Sequence, residues 1–541
     1  MKHRIAILIL TGLFFSNGVV AQQTPQEKGL EAITMDAIKA QLSFLASDWT
    51  EGRETGTRGM YLASDYIASM FRFSGVSGAG DMGRPSGRRM MVRGGMPQPE
   101  KTYFQNFTLL ETLPGGESYL SVSKGDREFI FQEDVDFTLR ATSSEGISGE
   151  LVFVGYGIQS DEFGINELSG ADLEGKIAIR LYGLPGTSDE NSPMYKKLME
   201  DRRAAYTLIR NKDNVLEEMG ALAVIDINLD ADIGRITGEF IDDMQMSPNE
   251  SSRNSDFIRL RLDDPEAEPG MITIAGGFKI AGAALSGSGI DIKQYAADAA
   301  QGLKKFKPVE IRDARVNIKT EVKKRRVKVR NVVAMIEGKR KDEFVVIGAH
   351  MDHMGMSGGR IWNGADDNAS GTVGVMTIAS AFAATGVKPE RTVIFCGWTG
   401  EEKGLLGSEY FTRNPVVSNM DNCKFYINFD MIARDSEGDE EGRDVGLTYN
   451  SNYPEILRMC QRNVEDYGLK MNYNYRAQEN PRGGSDYTAF TENEVPIIAF
   501  MAAMHPDYHT PNDHVEFVNW EKMLDIIKLG FLNLWEVANP E

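Results

Sequence analysis

Apolar and polar positions change rhythm along this chain. In its last two hundred or so residues, short apolar runs alternate with segments of helical period. EFVVIGAH, RTVIFCGW, FYINFDMI and PIIAFM read as strands buried on both faces. Between them, GTVGVMTIASAFAATG, LLGSEYFTRNP and YPEILRMCQRNVEDYG read as helices, and WEKMLDIIKLGFLNLWEVA closes the chain as another. Strands alternating with helices predict an α/β fold, a mixed and largely parallel sheet covered by helices on both faces.

The first half is less regular. Ile38, Leu42, Leu45 and then Tyr61, Leu62, Tyr66, Ile67, Met70 and Phe71 recur at helical spacing on either side of SDWTEGRETGTRG, which reads as a loop. A stretch at about 76–99 is rich in Gly, Arg and Met without a period and is expected to be a flexible surface insertion. YFQNFTLL, SYLSVS and REFIFQ predict strands, followed by GELVFVGYGI, KIAIRLYG, a helix around Lys196 to Glu218, and ALAVIDI. These outline a β-rich insert, from about 134 to 302. Residues 230–264 are polar and give no assignment. VEIRDARVNIKTEV and RRVKVRNVVAMI predict a hairpin leading into the next domain.

With 541 residues the chain exceeds one ordinary core. The expected division is a signal peptide at 1–21, an N-terminal part of the main domain at 22–133, the insert at 134–302 and a catalytic domain at 303–541. The leader MKHRIAILILTGLFFSNGVVAQQ has a basic start, an apolar run too short to span a bilayer and small residues before a cleavage point near Ala21. The chain is therefore expected to be exported, periplasmic or secreted, without stable membrane insertion. A formal net charge of -20 excludes a nucleic-acid backbone as partner. The three cysteines, Cys396, Cys423 and Cys460, form no CxxC and indicate neither a disulfide framework nor a thiolate metal site.

The candidate chemistry lies just after the apolar runs. Apart from His3, all histidines fall in two windows, HMDH and HPDYHTPNDH, each rich in carboxylates. His350 ends a strand, and in extended chain residues two apart point the same way. Asp352 is thus expected to orient a metal-bound His350 through its carboxylate. His353 is expected on the opposite face, mainly in a structural role. In NGADDNASG, one of Asp366 and Asp367 is expected to bridge two cations, since a carboxylate has two oxygens. In TGEE, one of Glu401 and Glu402 can bind metal while the other serves as proton acceptor. Asp430 ends a further strand, where a buried carboxylate needs a partner or a metal. Beside His509, the Tyr508 phenol can donate to a developing oxyanion.

HMDH, NGADDNASG, TGEEKGLLGS, NFDMI, GGSDY and DYHTP, in this order, resemble the bacterial co-catalytic di-zinc aminopeptidases, leucyl aminopeptidase and glutamate carboxypeptidase relatives. FLASDWTEGRETGTRG resembles the lead-in of the same family, and the insert, with GYGI and LEGKIAIRLYG, resembles a protease-associated domain. The resemblance implies a zinc exopeptidase-like fold holding two Zn²⁺ per chain. It implies that Asp367 bridges the zincs, with His350 and Asp430 completing one site and Glu402 and His509 the other. It makes Glu401 the general base, acting on a metal-bridging water, and then the acid. Asp352 orients His350 and Tyr508 stabilises the transition state. The substrates so implied are peptides with a free N-terminus, with residues 483–490 contributing to the side-chain pocket. A carboxypeptidase is the alternative within the superfamily, with Arg482 as the cation for a substrate carboxylate. A non-enzymatic binding relative and a different native metal, manganese or cobalt, are further alternatives. The sequence does not give the oligomeric state or the preferred N-terminal residue.

Overall fold

The computed structural model describes residues 23–83, 100–133, 135–141, 143–187, 189–200, 202–229, 259–265, 270–302 and 306–540. The expected signal peptide and most of the Gly-, Arg- and Met-rich insertion lie outside these residues. Among the described residues no helix is long and apolar enough to cross a membrane.

A ten-stranded mixed sheet forms the main body. Its centre is four parallel strands, in the order Arg391–Trp398, Arg340–His350, Cys423–Phe429 and Ile497–Met501. These are the four apolar runs of the sequence. Burial on both faces follows from their alternation. Val345, Ile347 and Ala349 enter one core with the helices Met35–Leu45, Arg58–Phe73, Gly371–Ala384 and Trp520–Ala538. Phe344 and Val346 enter a second core with Trp398, Phe411 and Phe490 on the other side. Each fully buried Val, Ile or Phe among these contributes about 2 kcal/mol by leaving water.

The helix Gly371–Ala384 is apolar almost all round because it is pressed between the sheet and the outer helices. Gly374 permits the closest approach, since a Cβ there would lie 2.7 Å from the Phe429 ring. That contact fixes the helix against the strand that leads into Asp430.

Antiparallel strands flank the parallel centre. Val322–Ile336 and Phe104–Pro114 lie on one side, Asp444–Asn450 on the other, where it carries Asn472–Gln478 in parallel at the edge. The last two strands are absent from the sequence reading. NYNYRAQ alternates between exposed and half-buried positions at an edge, so it lacks a continuous apolar run.

The second body is an eight-stranded sheet with the order 127–132, 119–124, 309–319, 146–153, 177–181, 223–227, 272–276 and 137–140. It corrects three expectations. The boundaries expected at 134 and 302 lie inside this body, because 119–124 and 127–132 at one end and 309–319 at the other pair within its sheet. The insert is α/β rather than simply β-rich. Its middle strands are parallel, and the helices Pro193–Glu200, Arg202–Glu218, Phe278–Leu285 and Ile292–Ala300 accompany them. The hairpin expected from 309 to 336 is not one. Val309–Lys319 pairs in the small sheet and Val322–Ile336 in the large one, so the short link between them is a crossing point. Arg259–Leu262 returns from the insert to extend the large sheet beside Phe104–Pro114.

Candidate metal centre

Parallel strands end at the same edge, and the polar clusters gather there, as expected for such sheets. His350 is the last residue of its strand, and Asp430 directly follows Phe429. Trp398 leads into Thr399, Gly400, Glu401 and Glu402, and Met501 into the loop bearing Tyr508 and His509. The loop from Gly364 to Ser370, ahead of the Gly371 helix, inserts Asp366 and Asp367 between them.

Asp367 stands between two histidines. Its Oδ1 lies 3.4 Å from His350 Nε2 and its Oδ2 lies 3.0 Å from His509 Nε2. Asp430 Oδ1 lies 3.3 Å from His350 Nε2, and Glu402 Oε2 lies 3.2 Å from His509 Nε2. Glu401 Oε2 is 4.0 Å from His350 Nε2. Three ligand-like groups result, His350 with Asp367 and Asp430, His353 with Asp367, Glu402 and His509, and His350 with Glu401 and Glu402. Asp367 belongs to the first two.

These groups fit cations. Around a tetrahedral Zn²⁺ with bonds of about 2.0–2.2 Å, neighbouring donor atoms stand roughly 3.4 Å apart, close to the separations given above. Asp367 Oδ2 and His509 Nε2 are buried and 3.0 Å apart without meeting in hydrogen-bond geometry. Among the described residues, the side-chain ion-pair partners of Asp367, Glu402 and Asp430 are histidines. Buried carboxylates packed so densely need more positive charge than that. The donors are imidazole nitrogens and carboxylate oxygens, a set suited to zinc.

Asp366 takes no part in the cluster. Its Oδ1 accepts the Ala433 amide hydrogen at 2.7 Å, and its Oδ2 lies 3.3 Å from His505. Asp513 grips the same loop from behind, accepting the amide hydrogens of Asp366 and of Asp367, the latter at 3.0 Å. Tyr508 stacks on His509, with ring centroids 3.8 Å apart. Burial and the carboxylates of Asp367, Glu402 and Glu401 push its phenol well above the ordinary value, so it stays a donor. Arg482 is exposed, with its guanidinium beside the Asn480 side-chain amide.

Two expectations are corrected at the HMDH turn. The His350 ring Nδ1 meets the peptide oxygen of Asp352 at 3.2 Å. The Asp352 carboxylate instead accepts from Thr55 Oγ1 at 2.8 Å and from the Glu401 amide at 3.2 Å. A proton held on Nδ1 by that oxygen would leave Nε2 of His350 free to bind a cation shared with Asp367 and Asp430. His353 does not face away, because its Nδ1 lies 2.8 Å from Glu402 Oε1. The strand stops at His350, and the alternation of an extended chain does not carry past its end.

The loop SDWTEGRETGTRG contributes more than a connection. Arg53, 1% exposed, donates to the carbonyls of Met351, Leu45, Asn363 and Gly364. It thereby ties the His350 turn to the Asp367 loop. Burial lowers its pKa to about 10, against the pull of Asp367 and Asp513, and it stays charged. Glu54 pairs with Lys403 at 3.0 Å, next to the Glu401–Glu402 turn. The residues that contact the cluster and were not assigned to it in sequence are thus His353, Arg53, Thr55 and Asp513. His353 and Asp513 had a signal in their place in the histidine and carboxylate windows, and Arg53 and Thr55 only in the likeness of FLASDWTEGRETGTRG to the family's lead-in.

The electrostatics give a first prediction. Burial alone would lower the pKa of His350, but Glu401, Asp430 and Asp367 outweigh it and hold the ring well above the ordinary value. Burial likewise opposes, and Glu402 and Asp367 raise, His509. Without metal both rings therefore carry a proton at neutral pH. The ion-pair stability this supplies is full below the unfolded value and fades as pH rises through the raised folded value. Metal binding requires neutral rings. Zinc uptake at neutral pH should expel on the order of two protons per chain, and its affinity should rise with pH. Calorimetry in buffers of different ionisation enthalpy measures this, and a heat independent of buffer would contradict it.

Residues 331–531 match Peptidase family M28. Over 170 residues the chain is 33% identical to leucine aminopeptidase 2 of Trichophyton equinum and 32% identical to that of Arthroderma otae. Each alignment covers 31% of this chain and 32% of the relative, so the chain spans about a third of the length of the curated relatives it matches. These relatives are fungal, so the likeness does not single out bacterial enzymes. A solved aminopeptidase from an Aneurinibacillus species shares the fold, with a TM-score of 0.52 and 17% identity over 95% of this chain and 97% of that one.

Proposed function

We propose that the chain is an exported metallo-aminopeptidase of family M28 that binds two zinc ions and removes N-terminal residues from peptides. The observation that carries this reading is the placement of Asp367, whose two oxygens face His350 on one side and His509 on the other. His350, Asp367 and Asp430 would hold one ion, and Asp367, Glu402 and His509 the other. When bound, such a pair polarises a carbonyl and lowers the pKa of water between them.

The chain's own groups do the rest. Glu401 accepts the proton of the attacking water and returns it to the departing amine nitrogen. Tyr508, held against His509, donates to the oxyanion. Asp352 holds the geometry from behind, through its peptide oxygen on His350 and its carboxylate on the Glu401 amide. The carboxylates around the cluster favour a cationic amino terminus over a substrate carboxylate. Arg482, exposed and turned onto Asn480, gives the carboxypeptidase alternative no support. The inserted α/β body serves as a protease-associated domain bordering the cleft and limiting substrate access.

A panel of aminoacyl substrates tests the reading. Free-amine substrates should turn over, their N-acetylated counterparts should lose at least about 100-fold, in line with a binding group left unpaired, and a chelator should abolish turnover. Equal turnover of blocked and free substrates would overturn it.

A further inference from the structure

We infer that His353 is a positioning residue for Glu402, donating its Nδ1 hydrogen to Glu402 Oε1 and so aiming Oε2 at the cation shared with Asp367 and His509. The inference rests on the two-metal reading above. Glu402 presents its two oxygens to different partners. Oε1 is 2.8 Å from His353 Nδ1, and Oε2 is 3.2 Å from His509 Nε2. The His353 nitrogen is farther from Asp367, 3.6 Å from Oδ2, so its close partner is the glutamate.

The ring itself is fixed. His353 is fully buried and lies edge-on to His509, with centroids 5.7 Å apart. Its other side presses on Gly364, where a Cβ would stand 2.5 Å from His353 Cδ2. Gly364 also has a φ of 54°, in the left-handed region that favours glycine. The loop carrying Asp367 thus leaves a slot for this imidazole. Glutamate has a long, flexible side chain, and at the tip of a turn it needs an outer partner to hold one oxygen toward a metal. Such partners commonly govern metal affinity.

Calorimetric titration of the metal-free chain with Zn²⁺ tests this, with His509→Ala identifying the binding step that belongs to the Glu402 side. In His353→Leu that step should weaken by about 10–100-fold, while the other step stays within about threefold of wild type. His353→Asn places an amide N–H near the position of Nδ1 and should restore the step to within about threefold. His353→Gln, whose amide reaches past that point, should not. Unchanged steps in His353→Leu, or equal affinities in the Asn and Gln variants, overturn the inference, and the second comparison decides if the Leu variant does not fold. A wild-type chain that takes up no zinc removes the two-metal reading, and with it the inference.

Discussion

Glu401→Gln is expected to lower kcat by about 10²–10⁴-fold while leaving KM, fold and metal content near wild type. The change keeps the side chain's volume and removes only its capacity to take a proton. The turn that carries it is held by other means. The Glu401 amide donates to Asp352, and its carbonyl accepts the Leu405 amide. Burial, together with Glu402 and Asp430, holds the Glu401 carboxyl well above the usual carboxylate range, against the pull of His350. Bound cations would draw its value back down, toward the range in which a base can both accept and return a proton. Steady-state kinetics and elemental analysis of the same sample measure both halves of the prediction. A zinc-loaded variant within tenfold of wild-type kcat would contradict the assignment.

Asp367→Ala is expected to abolish turnover by removing both ions, whereas His350→Ala and His509→Ala should each weaken one. This asymmetry follows from position. Each histidine faces one oxygen of Asp367, and Asp367 faces both histidines. The variant should still fold, because the loop is anchored through backbone amides on Asp513 and not through the Asp367 side chain. Loss of the carboxylate also relieves crowding with Glu402. Metal analysis after dialysis, with circular dichroism of the metal-free chains, separates the three variants. One tightly held zinc per chain in Asp367→Ala would mean that the aspartate is not shared.

The sheet that carries the site is legible because its four central strands are continuous apolar runs, and the polar residues after them must lie at one edge. His350, Glu401, Glu402, Asp430 and His509 could be named as candidates for that reason, whereas the choice of Asp367 over Asp366 and the separate roles came only from the order of motifs. Contacts from outside that pattern could not be read. Arg53 reaches Met351 across 298 positions of sequence, and a loop rich in Gly, Thr and charge carries no trace of that partner. Alternation along 309–336 marks extended chain but not which sheet each strand joins, so a crossing between two sheets looked like a hairpin. The turn after His350 failed for a local reason. Face alternation was extended beyond the strand, which exchanged the partners of Asp352 and hid the contact between His353 and Glu402.

Anomalous diffraction at the zinc edge from zinc-loaded crystals tests the sharing of Asp367 most directly. Two peaks about 3.5–4 Å apart are expected, one beside His350 and Asp430 and the other beside Glu402 and His509, with the Asp367 carboxylate between them. A single peak, or peaks that Asp367 does not touch, would contradict it.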